Sequence, residues 1–163
     1  MRVEVTNDHP QLRVDGRRIA RQVRRVLQSQ GRAGVGVDVT LVDDEAIAHL
    51  NKEYRDVDGV TDVLSFAIAD DPEDPGILQH LGDVVVSLDT AKRQAATVRR
   101  ETGSVAYKIR EETLFLVTHG TLHLLGFEHD TDEDAAVMER LELELMAGLV
   151  DVEPHCTDRS DHL

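Results

Sequence analysis

Three of the chain's eight histidines fall in one short stretch, His119-Gly-Thr-Leu-His123-Leu-Leu-Gly-Phe-Glu-His129-Asp130. His119 and His123 are four apart, so a helix stacks them on one face about one turn apart, within reach of a single metal ion. Gly126 can take the left-handed conformation that ends a helix, letting the chain turn back and deliver His129 as a third ligand. Three imidazoles on a tetrahedral ion leave its fourth position to water or substrate, which is the pattern of a catalytic site rather than a closed structural one. A lone histidine on an apolar face is ordinarily a satisfied core residue, and that reading is given to His9, His49 and His80. The spacing H-x3-H-x2-G-x2-H is a joint demand on four positions and points to metal.

The spacing is shared with the metzincin peptidases, whose pattern is H-E-x-x-H-x-x-G-x-x-H. Here Gly120 stands where those enzymes carry the glutamate that serves as general base. Losing a general base costs roughly two to four orders of magnitude, which disfavours peptide hydrolysis. Three neutral imidazoles with no glutamate leave an ion its full positive charge toward a phosphate, so phosphodiester chemistry fits better.

Together with Tyr54-Arg55 and Thr61-Asp62-Val63-Leu64-Ser65-Phe66, the His119–Asp130 stretch resembles the YbeY family of bacterial ribosomal-RNA maturation endoribonucleases. The resemblance runs from residue 1 to about residue 150. It implies one metal ion, usually zinc, held by His119, His123 and His129, and a functional arginine at Arg55. The candidate catalytic residues are Arg55 and His119. The implied activity is single-strand-specific, metal-dependent RNA cleavage in ribosomal-RNA processing, with precursor ribosomal RNA and the ribosomal subunit or its assembly proteins as partners. Glu128 and Asp130 are candidate general bases by adjacency only, and an RNA 2′-hydroxyl is an alternative nucleophile. Two other classes stay open: a metzincin-like zinc peptidase, and a non-catalytic ribosome-assembly factor whose metal is structural.

A chain of 163 residues is expected to form one domain, residues 1–150, with a real core and a disordered polar tail over 151–163. One cysteine, Cys156, and no secretory signal fit a reducing cytoplasm. The uncharged run Thr113–Phe127 is too short and polar to span a bilayer, so no membrane partner is expected. The net charge of −14 opposes RNA binding, but its distribution is uneven. Residues 1–37 carry eight arginines against Glu4, Asp8 and Asp15, and residues 90–110 hold Lys92, Arg93, Arg99, Arg100, Lys108 and Arg110 against Glu101 alone. Such a chain could present a basic face.

These residues need a frame. Alternation over Arg2–Thr6 and Val35–Leu41 predicts strands, as do the β-branched runs Val63–Ala69 and Gly82–Leu88. Helical spacing predicts helices over Val14–Gln28, from an Asp43 or Asp44 cap to Tyr54, and from Asp89 or Thr90 to Thr102. A long central helix is expected from a Ser104 cap to Leu125, then a last helix from a Thr131 cap to about Leu149. The acidic stretch Asp70–Gly76 reads as an exposed loop. The sum is an α+β domain: a mixed four-stranded sheet packed with helices, with a zincin-like metal site on the central helix.

Overall fold

The computed structural model describes residues 2–68, 79–156 and 159. Four strands, β1 (Arg2–Asn7), β2 (Val35–Val42), β3 (Val63–Ala67) and β4 (Gln79–Ser87), form one sheet in the order β1-β2-β4-β3. β1 and β2 pair in parallel, as do β2 and β4, while β3 runs antiparallel along β4 at the edge. Among the described residues, five α-helices complete an α+β domain: α1 (Gly16–Ser29), α2 (Asp44–Arg55), α3 (Leu88–Thr102), α4 (Ile109–Leu124) and α5 (Asp132–Met146). The expected loop Asp70–Gly76 and residue Ala69 of the expected third strand lie outside the described residues.

The strand pattern explains the layers. On β2, Val37, Val39 and Leu41 point one way and join Val84 and Val86 of β4, Ile19, Val23 and Leu27 of α1, and Leu114–Val117 of α4. The other sheet face buries Val42, Leu64 and Val85 against Ile47 of α2. α4 therefore lies across the middle of one sheet face with apolar side chains on nearly every side, and α5 closes over its far end through Leu122, Met138 and Leu145. Rigid elements of this kind hold attached side chains in place better than loops do. Among the described residues, no helix is long and apolar enough to cross a membrane.

Capping chemistry sets the helix ends. Asp15, Asp43 and Thr131 accept from backbone N–H groups at the starts of α1, α2 and α5. α4 departs from expectation. Its cap is Lys108, not Ser104, and Glu111 reaches back to accept from the Lys108 N–H at 2.9 Å. Ser104 instead donates its hydroxyl to Asp151 at 2.6 Å and lies four residues ahead of the Lys108 cap, out of place to accept from the first helical N–H groups. Of the expected tail, residues 151–156 and 159 are described; Val152 packs against Ala95, Val98 and Tyr107, and Pro154 is buried. Pro154–Cys156 form a short 3-10 turn, and Arg159 grips the fully buried Glu112 through two contacts of 2.7 and 3.0 Å.

Candidate metal centre

His119 and His123 ride on the last two turns of α4. Gly126, at φ 95°, then allows the helix to close: its own N–H bonds to the His123 carbonyl and the Phe127 N–H to the Leu122 carbonyl, both at 3.0 Å. That turn brings His129 back. The three rings lie 4.5–5.7 Å apart centre to centre, and each offers a nitrogen within 4.8 Å of the others'.

Both helical imidazoles are tied from behind. His123 Nδ1 lies 2.8 Å from the Phe127 carbonyl oxygen, which only accepts, so the proton is on Nδ1 and Nε2 carries a lone pair. His119 Nδ1 faces the Glu142 carboxylate at 3.4–3.5 Å. The two Nε2 atoms then meet at 3.0 Å. Two lone pairs at that separation repel unless a proton or a cation is shared, and 3.0 Å is a spacing that two nitrogens each about 2.0–2.1 Å from one ion can adopt. Burial, and next the neighbouring His119, pushes the His123 pKa down, favouring the neutral ring that a metal requires. The donor set therefore fits a borderline ion such as zinc.

Glu142 was not anticipated from the sequence, although a signal was present. It falls between Met138 and Leu145 on the apolar face of α5, and a carboxylate at such a position requires a partner. Burial pushes its pKa up, but His119 and His155 together hold it down at about 2. Glu128, a candidate base, stands 3.4 Å from His123 Nδ1, on the outer side of that ring.

Gly120 turns toward the sheet. A Cβ there would lie 2.7 Å from Val84 Cγ1, 3.1 Å from Ser65 Oγ and 3.2 Å from Val63 Cγ2. The residue that distinguishes this chain from a metzincin is thus also what lets α4 sit on β3 and β4. Gly120→Ala is expected to lower stability by about 1–2 kcal/mol, overpacking outweighing the gain in helix propensity. An unchanged urea midpoint would show that the sheet yields without cost.

Arg55 is the last residue of α2. Its Nη2 donates to the Ser65 carbonyl of edge strand β3 at 2.8 Å, and Ser65 Oγ donates to the Gly120 carbonyl at 2.9 Å. This relay sets Arg55 beside the part of α4 that carries His119. Phe66 lies under the guanidinium at 5.8 Å and meets the exposed Tyr54 edge-on.

The remaining histidines separate clearly. His9 is buried, accepts two backbone N–H groups on Nδ1 and holds Asp89 through Nε2, a satisfied core residue as expected. His49 is exposed beside Glu53, and His80 lies 3.7 Å from both Asp38 and Asp83. The basic window 90–110 is partly structural: Arg93 pairs with Asp44, Arg99 donates to the Tyr107 carbonyl, and Arg110 pairs with Glu111. The arginines Arg17, Arg18, Arg21, Arg24 and Arg25 of α1 are exposed on one face.

The sheet, the central helix and the converging imidazoles define a small α+β domain with a three-histidine candidate metal centre. A family model described as Endoribonuclease YbeY matches residues 4–150, and the chain belongs to that family. A protein of Moorella thermoacetica named Endoribonuclease YbeY is 43% identical over 145 residues, covering 82% of this chain and 88% of its own. A relative of the same name from Carboxydothermus hydrogenoformans is 41% identical over 149 residues, covering 90% and 96%. The fold is also similar to a solution structure from Thermotoga maritima, at TM-score 0.56 and 21% identity over 96% of this chain and 97% of that one.

Proposed function

We propose that this protein is a metal-dependent endoribonuclease that cuts single-stranded RNA, acting on precursor ribosomal RNA in the cytoplasm through one domain over residues 1–150. His119, His123 and His129 would hold one zinc ion. The observation that carries this reading is the pair of imidazoles tied through Nδ1, whose Nε2 atoms face each other at 3.0 Å in a chain of the YbeY family. When bound, the ion supplies positive charge that polarises a phosphate oxygen and acidifies water. Each other step belongs to the chain. The imidazoles present neutral donors, so no carboxylate among the three ligands opposes an incoming phosphate. Gly120 supplies no carboxylate at the position where the metzincin pattern carries its general base, which separates the centre from a peptidase. Arg55 offers a planar cation that can hold phosphate oxygens and the charge that develops on them.

The reading is tested with purified protein assayed for metal, then for cleavage of precursor ribosomal RNA and of casein, each with and without chelator. Chelator-sensitive RNA cleavage with intact casein is expected. Casein cleavage, or RNA cleavage indifferent to chelator in metal-stripped protein, would overturn it.

The exposed arginine face of α1 is the part of an acidic chain suited to the phosphate backbone. RNA affinity is expected to fall with salt. The double variant Arg21→Glu, Arg24→Glu should flatten the slope of log affinity against log salt by about 1.4, at roughly 0.7 for each phosphate that an arginine no longer neutralises on a single strand. Salt-independent binding would remove the basic face from the account.

A further inference from the structure

Beyond the ligands, the centre is tied to the segment that follows α5. Glu142 is buried, and two rings approach it: His119 Nδ1 at 3.4 Å and His155 Nε2 at 3.5 Å from the same Oε2. These contacts are long for hydrogen bonds. Glu142 Oε2 and both His155 ring nitrogens are buried with no closer partner among the described residues. Buried polar atoms rarely go unpaired, and here the unpaired atoms face one another.

The segment is also anchored. Arg159 holds Glu112 of α4 with a two-pronged contact, lies 4.4 Å over the Phe115 ring, and Phe115 in turn meets the His155 ring edge-on at 5.5 Å. Phe115 is one turn before His119, so the anchor and the ligand share one stretch of helix. His155 and Arg159 lie beyond residue 150, where the family match ends.

We propose that Glu142 is the positioning residue of this metal centre, fixing the His119 ring with its proton on Nδ1 and Nε2 toward the ion, and that the C-terminal segment completes the arrangement by placing His155 against the same carboxylate. The inference rests on the metal reading of the three histidines. A carboxylate behind a ligating imidazole fixes its orientation and raises its basicity, and loss of such a partner typically weakens metal binding about 10–100-fold. His155 acts only through Glu142. Its loss should therefore cost less than the loss of Glu142, and nothing further once Glu142 is changed.

The test is zinc affinity of the full chain by competition with a chromophoric chelator, with the visible absorption of the cobalt-substituted protein as a second readout. Glu142→Gln, which keeps the shape, is expected to weaken zinc binding about 10–100-fold and to alter the cobalt bands. His155→Ala should weaken it less, and the double variant should match Glu142→Gln. Wild-type zinc affinity and cobalt bands in Glu142→Gln would overturn the proposal, and additive losses in the double variant would overturn the part given to His155. Wild-type protein that takes up no zinc would instead sink the metal reading itself. Nitrogen-15 NMR of the zinc-loaded wild type keeps the proposal falsifiable if Glu142→Gln does not fold. The His119 proton is expected on Nδ1, and ligation through Nδ1 would overturn the proposal.

Discussion

His123→Ala should strip the protein of its metal, taking bound zinc from about one equivalent to well below it, and should abolish chelator-sensitive RNA cleavage. The loss should exceed the roughly 10–100-fold typical of partners behind the ligands, because a donor atom itself is removed. His123 is the central member of the trio: its Nε2 lies 3.0 Å from that of His119, and its ring is 5.0 Å from that of His129. Its removal also leaves the Phe127 carbonyl without its side-chain donor, a cost of about 1 kcal/mol that loosens the turn carrying His129. Two effects therefore act in one direction, one on the ion and one on the third ligand. His49→Ala is the control, since that ring is exposed and lies beside Glu53, away from the trio. Full zinc occupancy in His123→Ala, measured by elemental analysis, would make His123 a core residue and dissolve the site.

The elements were legible where one physical pattern dominates. Val37, Val39 and Leu41 alternate because one sheet face is buried, and Gly126 marks the end of α4 because a left-handed residue is needed there. The convergence of the three histidines was legible for the same reason, being a local spacing on one helix and its closing turn. What escaped was set by partners distant in sequence. Ser104 has the chemistry of a helix cap, but its hydroxyl is drawn to Asp151 and the helix begins at Ile109 instead. Residues 151–156 and 159 show no periodicity, and they are held by contacts with distant residues: Asp151 by Ser104, His155 beside Glu142 and Phe115, and Arg159 on the buried Glu112. Arg93 and Arg99 read as free surface charge, although each answers an acceptor within the fold. Glu142 and His155 belong to the same class: the apolar face of α5 shows that Glu142 needs a partner, but charge pairing carries no period that would name it.

Arg55 separates catalysis from metal binding. Its guanidinium gives one of several N–H donors to the Ser65 carbonyl and is exposed, so removing it costs the fold little, about 1 kcal/mol or less. Among the described residues its contacts are with Ser65 and Phe66, not with a histidine of the trio, and Arg55→Ala is expected to keep the wild-type zinc content. Cleavage should nevertheless fall about 10²–10³-fold, or about 2.7–4 kcal/mol, the usual effect of losing one donor aimed at developing charge. The bond to Ser65 is what makes the geometry specific. It holds the planar group against the edge strand, and Ser65 in turn holds the Gly120 carbonyl next to His119. Lysine restores the charge but neither the fork nor the fixed plane, so Arg55→Lys should recover only part of the rate. The measurement is single-turnover cleavage with metal content determined on the same samples. A wild-type rate in Arg55→Ala would remove the arginine from the chemistry, and full recovery in Arg55→Lys would reduce its role to charge alone. A loss of zinc along with the rate would show instead that the Arg55–Ser65–Gly120 relay supports the metal centre rather than the phosphate.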